Sequence, residues 1–344
     1  IGKLYIKDFE EFPELRHKAA AIPFVLGNRN VPTAQPIGYS GEEFDYRFAF
    51  LKSPMREGVA LERVGEKDLS EVISLLGVAT LREILPKIVG LIATVNLVGT
   101  DALKELNDHG VELEKIYKSE LLYERLIKPL KLELSSSEIE MLLEPVKRFE
   151  RELNEPMLFV HGDMRPRNIR VGHSLEDLYF IDWEMSRIGY PVEDLAMFIM
   201  CLLRDTEQLR ETLSKSEQAT WAQELAEDYK ESFNSQARSL GIAQSLSFEP
   251  QDILLELLFT NLYKLGDQFW MANKTPVGLE GSPERREKAL YHLYEFLWLK
   301  ATLSQHYPNL EQHLSGLGEV VNQLLEASPY REIFKDCTQS IKAK

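Results

Sequence analysis

Cysteine is scarce in this chain of 344 residues, in which Cys201 and Cys337 are the two that occur. Two cysteines so far apart in sequence exclude a disulfide framework and a cysteine-ligated zinc site. Their scarcity favours a reducing, cytoplasmic compartment. The chain also lacks any run of about 18 apolar residues, so the sequence predicts neither a membrane-spanning helix nor a membrane partner.

Basic residues are under-represented as well, with 40 Lys and Arg against 55 Asp and Glu, which gives a formal net charge of −15. Because no stretch gathers enough Lys and Arg to follow a phosphate backbone, the sequence argues against a nucleic-acid partner. Residues 1–60 hold eight basic and eight acidic side chains, so the acidic excess lies in the rest of the chain. That excess either serves solubility or lines a cleft that attracts a cationic ligand.

The length of the chain suggests about two domains. Lys3–Lys7 alternates polar and apolar residues, as a strand does, and residues 10–26 favour a helix that Pro23 should end or kink. Two further strands are predicted near residues 35–39 and 43–51, with a turn between them.

A break in the pattern after these strands predicts a boundary between two lobes. The first lobe spans residues 1–52, a hinge covers 53–58, and a mainly helical second lobe spans 59–344. Periodic apolar residues predict helices in the second lobe around residues 81–95, 139–153, 192–205, 216–238, 250–272, 284–305 and 311–327.

Three short apolar runs interrupt these helices at residues 157–160, 169–171 and 178–181, and the last two are predicted to form a hairpin. The first run leads into HGDMRPRN, residues 161–168, and the third ends at Asp182. The sequence therefore predicts that one His, two Asp and one Asn side chain follow closely on buried strands.

These residue types suit phosphoryl transfer from a nucleoside triphosphate, which needs a positioned hydroxyl and Mg²⁺ on the phosphate oxygens. Mg²⁺ prefers oxygen ligands, which the Asp182 carboxylate and the Asn168 amide can supply. Asp163 lies on the same tight loop as Asn168, where it can orient the acceptor hydroxyl and accept its proton.

The segment resembles the aminoglycoside phosphotransferase and choline kinase superfamily, the small-molecule relatives of the protein kinases. HGDMRPRNIRV is similar to that family's catalytic loop, commonly HGDLHPGNVLV. FIDWE at 180–184 is similar to its metal-binding strand end, and GYPVEDLAMF at 189–198 to the segment that follows. The resemblance implies an α+β, two-lobed protein-kinase-like fold, with a small β-rich N-lobe and a large, mainly helical C-lobe.

The resemblance also implies roles for single residues. Asp163 would be the catalytic base, and Asn168 and Asp182 the magnesium ligands. His161 would be a structural residue of the loop, and Asp194 would support the loop through backbone N–H groups.

The chain departs from the family pattern in several places. The family opens with a glycine-bearing hairpin over the phosphates, and no such hairpin precedes Lys7, so the N-lobe is expected to be truncated. Lys7 is then the match to the lysine that holds the α- and β-phosphates, with Glu14 as its expected helix partner.

Arginine replaces the usual His and Gly of the catalytic loop at positions 165 and 167. Arg165 is expected either to hold an anionic substrate group or to pair with Glu184 or another acid. Glu184 is expected to contact substrate, metal-bound water or Arg165. Asp267, among C-terminal aromatic residues, is a candidate acidic contact for the substrate.

Only eleven residues separate Asp182 from Asp194, which leaves no room for the long activation loop of a protein kinase. The sequence therefore predicts an enzyme that moves the γ-phosphoryl group of ATP, or of GTP, to a hydroxyl of a small molecule. The acidic excess slightly favours a cationic acceptor. The alternative is a binding or scaffold protein with a kinase-like fold and little transfer activity.

Overall fold

The computed structural model describes residues 4–8, 13–39, 58–62, 64–152, 155–274, 278–279 and 281–335. Its strands, in chain order, are β1 (Leu4–Asp8), β2 (Pro36–Tyr39), β3 (Gly58–Glu62), β4 (Lys67–Asp68), β5 (Leu158–Val160), β6 (Ile169–Val171), β7 (Leu178–Phe180) and β8 (Arg187–Gly189). Its helices are α1 (Pro13–Asn28), α2 (Leu69–Ile73), α3 (Val78–Asp101), α4 (Leu103–Asp108), α5 (Lys118–Leu122), α6 (Ser136–Glu152), α7 (Val192–Asp205), α8 (Glu207–Thr212), α9 (Lys215–Leu240), α10 (Pro250–Asn273), α11 (Pro283–His306) and α12 (Glu311–Ala327).

The chain divides into two compact units. Ile1–Lys115 and Pro156–Phe248 form the first, and Ile116–Glu155 and Glu249–Lys344 form the second. Every strand of the described residues belongs to the first unit, which also holds the sequence motif at 161–194. No helix in the described part of the chain is both long and apolar enough to cross a membrane.

An antiparallel sheet lies at the start of the first unit, with strand order β1-β3-β2. The predicted strand at residues 43–51 and the hinge residues 53–57 lie outside the described residues. β3 begins at Gly58, the last residue of that predicted hinge, and pairs with both strands that precede it. The sequence analysis did not predict β3, because its partners are distant in sequence.

Helix α1 corrects one prediction, because it continues past Pro23 to Asn28. The residues Ile22, Val25 and Leu26 around the proline are fully buried, and this packing compensates for the backbone hydrogen bond that proline cannot make. The Gln35 side chain also donates to the Pro23 carbonyl at 3.1 Å. Of the two outcomes predicted at Pro23, an end to the helix is therefore wrong.

The predicted hairpin is confirmed. β6 pairs with β7 in antiparallel register, with Ile169 opposite Phe180. β4 extends this sheet on the other side of β6, while β5 pairs with β8 in a separate two-stranded ladder. The alternation of buried and half-buried residues along β6 and β7 keeps their apolar side chains in the core.

Long helices surround these short strands in the first unit. The apolar stripe predicted on α3 is confirmed, since Leu81, Leu85, Ile88 and Ile92 are all buried. α3 packs on α9, which begins with a capping box in which Ser214 accepts a hydrogen bond from the Glu217 amide.

The second unit is helical, with α10 packed along α11 and α6 packed against α12. The predicted helices of this unit are confirmed, and their ends lie within three residues of those expected at 139–153, 250–272, 284–305 and 311–327. In its interior, Lys118 and Glu256 form an ion pair, and both side chains are almost fully enclosed.

Candidate active site

The loop between β5 and β6 begins with a buried histidine that is fixed on both sides. The Nε2 atom of His161 lies 2.9 Å from the Ile181 carbonyl, to which it donates. The imidazole also packs on the Trp183 ring, with 4.7 Å between the ring centroids. Trp183 in turn donates to the Thr33 hydroxyl at 3.1 Å, which ties the turn after β7 to the segment after α1.

Asp194, at the start of α7, accepts hydrogen bonds from the backbone of the same loop. The amides of His161 and Gly162 donate to its two carboxylate oxygens at 2.7 and 2.9 Å. A third donor, the Asn96 amide of α3, lies 2.8 Å away. Burial raises the pKa of Asp194 above the usual aspartate value, although these hydrogen bonds and the nearby His161 oppose the rise.

Asp163 follows Gly162, and its carboxylate is held by two donors. The Asn168 side-chain amide donates to the Asp163 carbonyl at 2.8 Å and to Oδ2 at 3.0 Å. Arg165 approaches the same Oδ2 with its Nη2 atom at 2.9 Å. The Asp163 side chain keeps 15% of its surface exposed, so solvent or a ligand can reach it.

The β6–β7 register brings Asn168 and Asp182 to neighbouring positions. Asn168 precedes β6, Ile181 follows β7, and the Ile181 amide donates to the Asn168 carbonyl at 3.0 Å. Asp182 comes next, half-buried and in a left-handed conformation with φ 75° and ψ 52°. Non-glycine residues rarely adopt this conformation, although aspartate does so more often than most, and residues in such conformations cluster at functional sites.

Asn168 and Asp182 carry the kind of oxygen donors that a magnesium ion prefers. The amide nitrogen of Asn168 faces Asp163, so its oxygen points away from that residue and can act as a ligand. Asp182 supplies a carboxylate from the adjoining turn. No group of three or more His, Cys, Asp or Glu side chains within the described residues could hold a metal ion unaided. Mg²⁺ bound with a nucleotide requires few protein ligands, because phosphate oxygens and waters supply the rest.

The remaining predicted residues take different places. Glu184 is buried in the turn Trp183–Met185, and Arg165 pairs with another acid, Asp163. The backbone of Lys7 lies on β1 and that of Glu14 in the first turn of α1. The side chains of Lys7 and Glu14 lie outside the described part of the chain.

Asp267 belongs to the second unit, on α10. Arg125 and Lys264 each approach its carboxylate at 3.1 Å. Burial alone would raise the pKa of Asp267, but the charges of Lys264 and Arg125 outweigh that effect and hold the pKa below its usual value. Its charge is thus balanced within its own unit.

Sequence reasoning missed a second ion pair beside the loop. Arg187 on β8 contacts Glu193 at 2.6 Å, and both side chains are buried. A Cβ on Gly162 would lie 2.3 Å from the Arg187 guanidinium and 2.2 Å from the Met185 carbonyl oxygen. The backbone of Gly162 is therefore enclosed on two sides. The signal available in the sequence was a pair of opposite charges six residues apart, with Gly189 and Pro191 between them.

Asn96 was also missed. Besides Asp194, its amide nitrogen contacts the Phe159 carbonyl at 3.0 Å, and its oxygen accepts from the Tyr229 hydroxyl at 2.6 Å. One asparagine thus connects α3, β5, α7 and α9. The sequence feature that could have indicated this role is a single amide side chain within the apolar stripe of α3.

Three solved structures are similar to the chain in fold. A choline/ethanolamine kinase family protein from Mesorhizobium loti has a TM-score of 0.55 and 14% identity, over 92% of this chain and 87% of that one. The choline kinase LicA from Streptococcus pneumoniae has a TM-score of 0.51 and 14% identity, over 86% and 85%. A Plasmodium vivax ethanolamine kinase has a TM-score of 0.52 and 16% identity, over 86% and 76%.

The fold is therefore protein-kinase-like, with a small β region and a large helical part, as the sequence predicted. No curated protein matches the chain in sequence. The model of the APH family, described as the phosphotransferase enzyme family, matches residues 5–237, which include the whole segment from His161 to Asp194. Since this match covers more than half of the sequence, the chain belongs to the phosphotransferase enzyme family.

Proposed function

We propose that the chain transfers the γ-phosphoryl group of ATP to a hydroxyl group of a small molecule, with Asp163 as the base. The family supports a small-molecule phosphotransferase. The observation that carries the finer proposal is the Asp163 carboxylate. It is partly exposed, oriented by Asn168, and attached to a loop whose amides bind Asp194.

In the proposed reaction, the acceptor hydroxyl donates its hydrogen bond to Asp163 and passes its proton to that carboxylate. The acceptor oxygen forms a bond to the γ-phosphorus while the bond from that phosphorus to the bridging oxygen breaks. The electron pair of the broken bond leaves with ADP. Little covalent help is needed, so the protein acts mainly by position and charge.

Asn168 and Asp182 would hold the magnesium ion that accompanies the nucleotide. The bound ion would neutralise negative charge on the phosphate oxygens. His161 and Asp194 support the loop that carries Asp163, and Glu184 lies buried in the turn that carries Asp182. Lys7 on β1 is proposed to contact the α- and β-phosphates, with Glu14 as its partner.

The acceptor is proposed to be a small alcohol. The similar structures named as choline and ethanolamine kinases suggest an amino alcohol as the first class to test. The acidic excess outside residues 1–60 is consistent with a cationic acceptor. Asp267 remains a proposed contact for it, and a cytoplasmic location remains a prediction from the cysteine content.

A comparison of Asp163→Asn with the unmodified chain tests the role of the base. Amino alcohols, aminosugars and neutral sugars are supplied with Mg·ATP, and ADP release is measured for each class. Asparagine keeps the shape of the side chain but cannot take the proton, so we expect turnover to fall by roughly 100-fold or more. Binding of Mg·ATP, measured by calorimetry, should persist.

Retention of most of the turnover by Asp163→Asn would contradict the role of the base. If the unmodified chain binds Mg·ATP but releases no ADP with any acceptor class, a binding or scaffold function becomes the better account.

A further inference from the structure

Arg165 stands where the family usually has histidine. In the structure, the hydrogen-bond donors of its side chain are only partly used. Its Nη2 atom contacts Asp163 at 2.9 Å, yet 36% of the side chain is exposed. Its Nε atom is enclosed and has no hydrogen-bond partner among the described residues. An enclosed donor without an acceptor costs free energy. The attraction of the Asp163 carboxylate therefore holds the guanidinium in an orientation that leaves its Nε donor without a hydrogen bond.

The proposed reaction brings phosphate oxygens within reach of this guanidinium. A base lies about 3 Å from the hydroxyl that it deprotonates, and the hydroxyl oxygen approaches the phosphorus to about 3.5 Å. The γ-phosphorus therefore lies within about 7 Å of the Asp163 carboxylate. Since Arg165 already contacts that carboxylate and has a long side chain, a change of rotamer can bring it to the phosphoryl group.

The charges around Arg165 favour this movement once the nucleotide is bound. Without nucleotide, the Asp163 carboxylate is the anionic group that Arg165 contacts. Mg·ATP adds the negative γ-phosphoryl oxygens within reach of the same guanidinium. A guanidinium matches such oxygens with two parallel donors.

We propose that Arg165 contacts the substrate, holding Asp163 when no nucleotide is bound and donating to the γ-phosphoryl group when Mg·ATP is bound. This inference rests on the proposed function. It implies that Arg165 strengthens the binding of ATP more than that of ADP, because ADP lacks the γ-phosphoryl group that Arg165 would contact.

The dissociation constants of Mg·ATP and Mg·ADP, measured by calorimetry on the full chain, test the inference. We expect Arg165→Gln to weaken Mg·ATP binding by about 10- to 100-fold, the range for lost hydrogen bonds to a charged group. Binding of Mg·ADP should change less than about twofold, which also shows that the variant is folded. Arg167→Gln is the matched control, because Arg167 is an exposed arginine on the same loop, and it should change neither constant.

Removal of Arg165 also leaves the negative charge of Asp163 uncompensated near the phosphates, which by itself would weaken nucleotide binding. A second pair of variants separates this repulsion from the loss of the contact between Arg165 and the γ-phosphoryl group. In the Asp163→Asn background, Arg165→Gln should still weaken Mg·ATP binding by a similar factor. An unchanged ratio of ATP to ADP affinity, or a loss that vanishes in the Asp163→Asn background, would overturn the inference. If the unmodified chain binds neither nucleotide, the proposed function itself fails and the inference fails with it.

Discussion

At the scale of single residues, the backbone near the proposed site adopts conformations that most side chains avoid. Asp182 has φ 75°, and Gly162, next to Asp163, has φ 79°. The residue types of this site could be predicted from the sequence, because the proposed reaction uses a base and oxygen ligands for Mg²⁺, which carboxylate and amide side chains can supply. The left-handed conformation of Asp182 could not, since an aspartate after a strand carries no signal for it.

Gly162→Ala tests how closely the loop is enclosed. A left-handed alanine costs about 1–2 kcal/mol, and here its Cβ would also lie 2.2 Å from a carbonyl oxygen of the backbone. We expect the free energy of unfolding to fall by roughly 3 kcal/mol or more, measured by urea denaturation.

Gly241→Ala is the matched control, because Gly241 has φ 69° but nothing lies near its missing Cβ. It should cost only the backbone penalty of about 1–2 kcal/mol. Equal losses in the two variants would show that the surroundings of Gly162 do not matter.

At the scale of helices and strands, the spacing of apolar residues predicted most of the long helices and the β6–β7 hairpin. The hairpin β6–β7 and the helices α7 and α9 to α12 are confirmed, because each contains its own local pattern of apolar residues or turns. The continuation of α1 beyond Pro23 and the pairing of β3 depend on packing and on partners distant in sequence. Local patterns cannot report these contacts, which is why β3 escaped prediction and why the sequence left two outcomes open at Pro23, an end or a kink.

Asn96 joins several of these elements through hydrogen bonds, and Asn96→Ala tests how much those hydrogen bonds contribute to stability. The substitution would remove one donor from Asp194 and leave the Phe159 carbonyl and the Tyr229 hydroxyl without the partner that Asn96 provides. Unsatisfied buried polar groups cost about 1–3 kcal/mol each, so we expect a loss of roughly 3 kcal/mol in the free energy of unfolding.

Asn107→Ala serves as the control, since Asn107 is an exposed asparagine on α4. Its change should stay within about 0.5 kcal/mol. A similarly small loss for Asn96→Ala would mean that the polar network does not support the loop.

At the scale of the whole molecule, the fold and the family follow from the sequence further than the substrate does. One motif of about forty residues suggested the family and its protein-kinase-like fold, and the family model matches residues 5–237. The acceptor is a different problem, because the net charge of −15 reflects solubility as much as the ligand. The balanced environment of Asp267 illustrates this, since an acidic residue that suggested a substrate contact lies between two cations.

The central claim is that the residues around Asp163, Asn168 and Asp182 form a magnesium-nucleotide site. The most direct measurement is the thermal midpoint of the full chain with and without Mg·ATP. At a concentration of about 100 times the dissociation constant, binding stabilises a protein by about 2.7 kcal/mol, which should raise the midpoint by several degrees.

The account predicts that this rise disappears when magnesium is chelated and is much smaller in Asp182→Asn, which keeps the size of the side chain but loses its charge. A midpoint that does not move with Mg·ATP or Mg·GTP, or a rise that is equally large in Asp182→Asn, would contradict it.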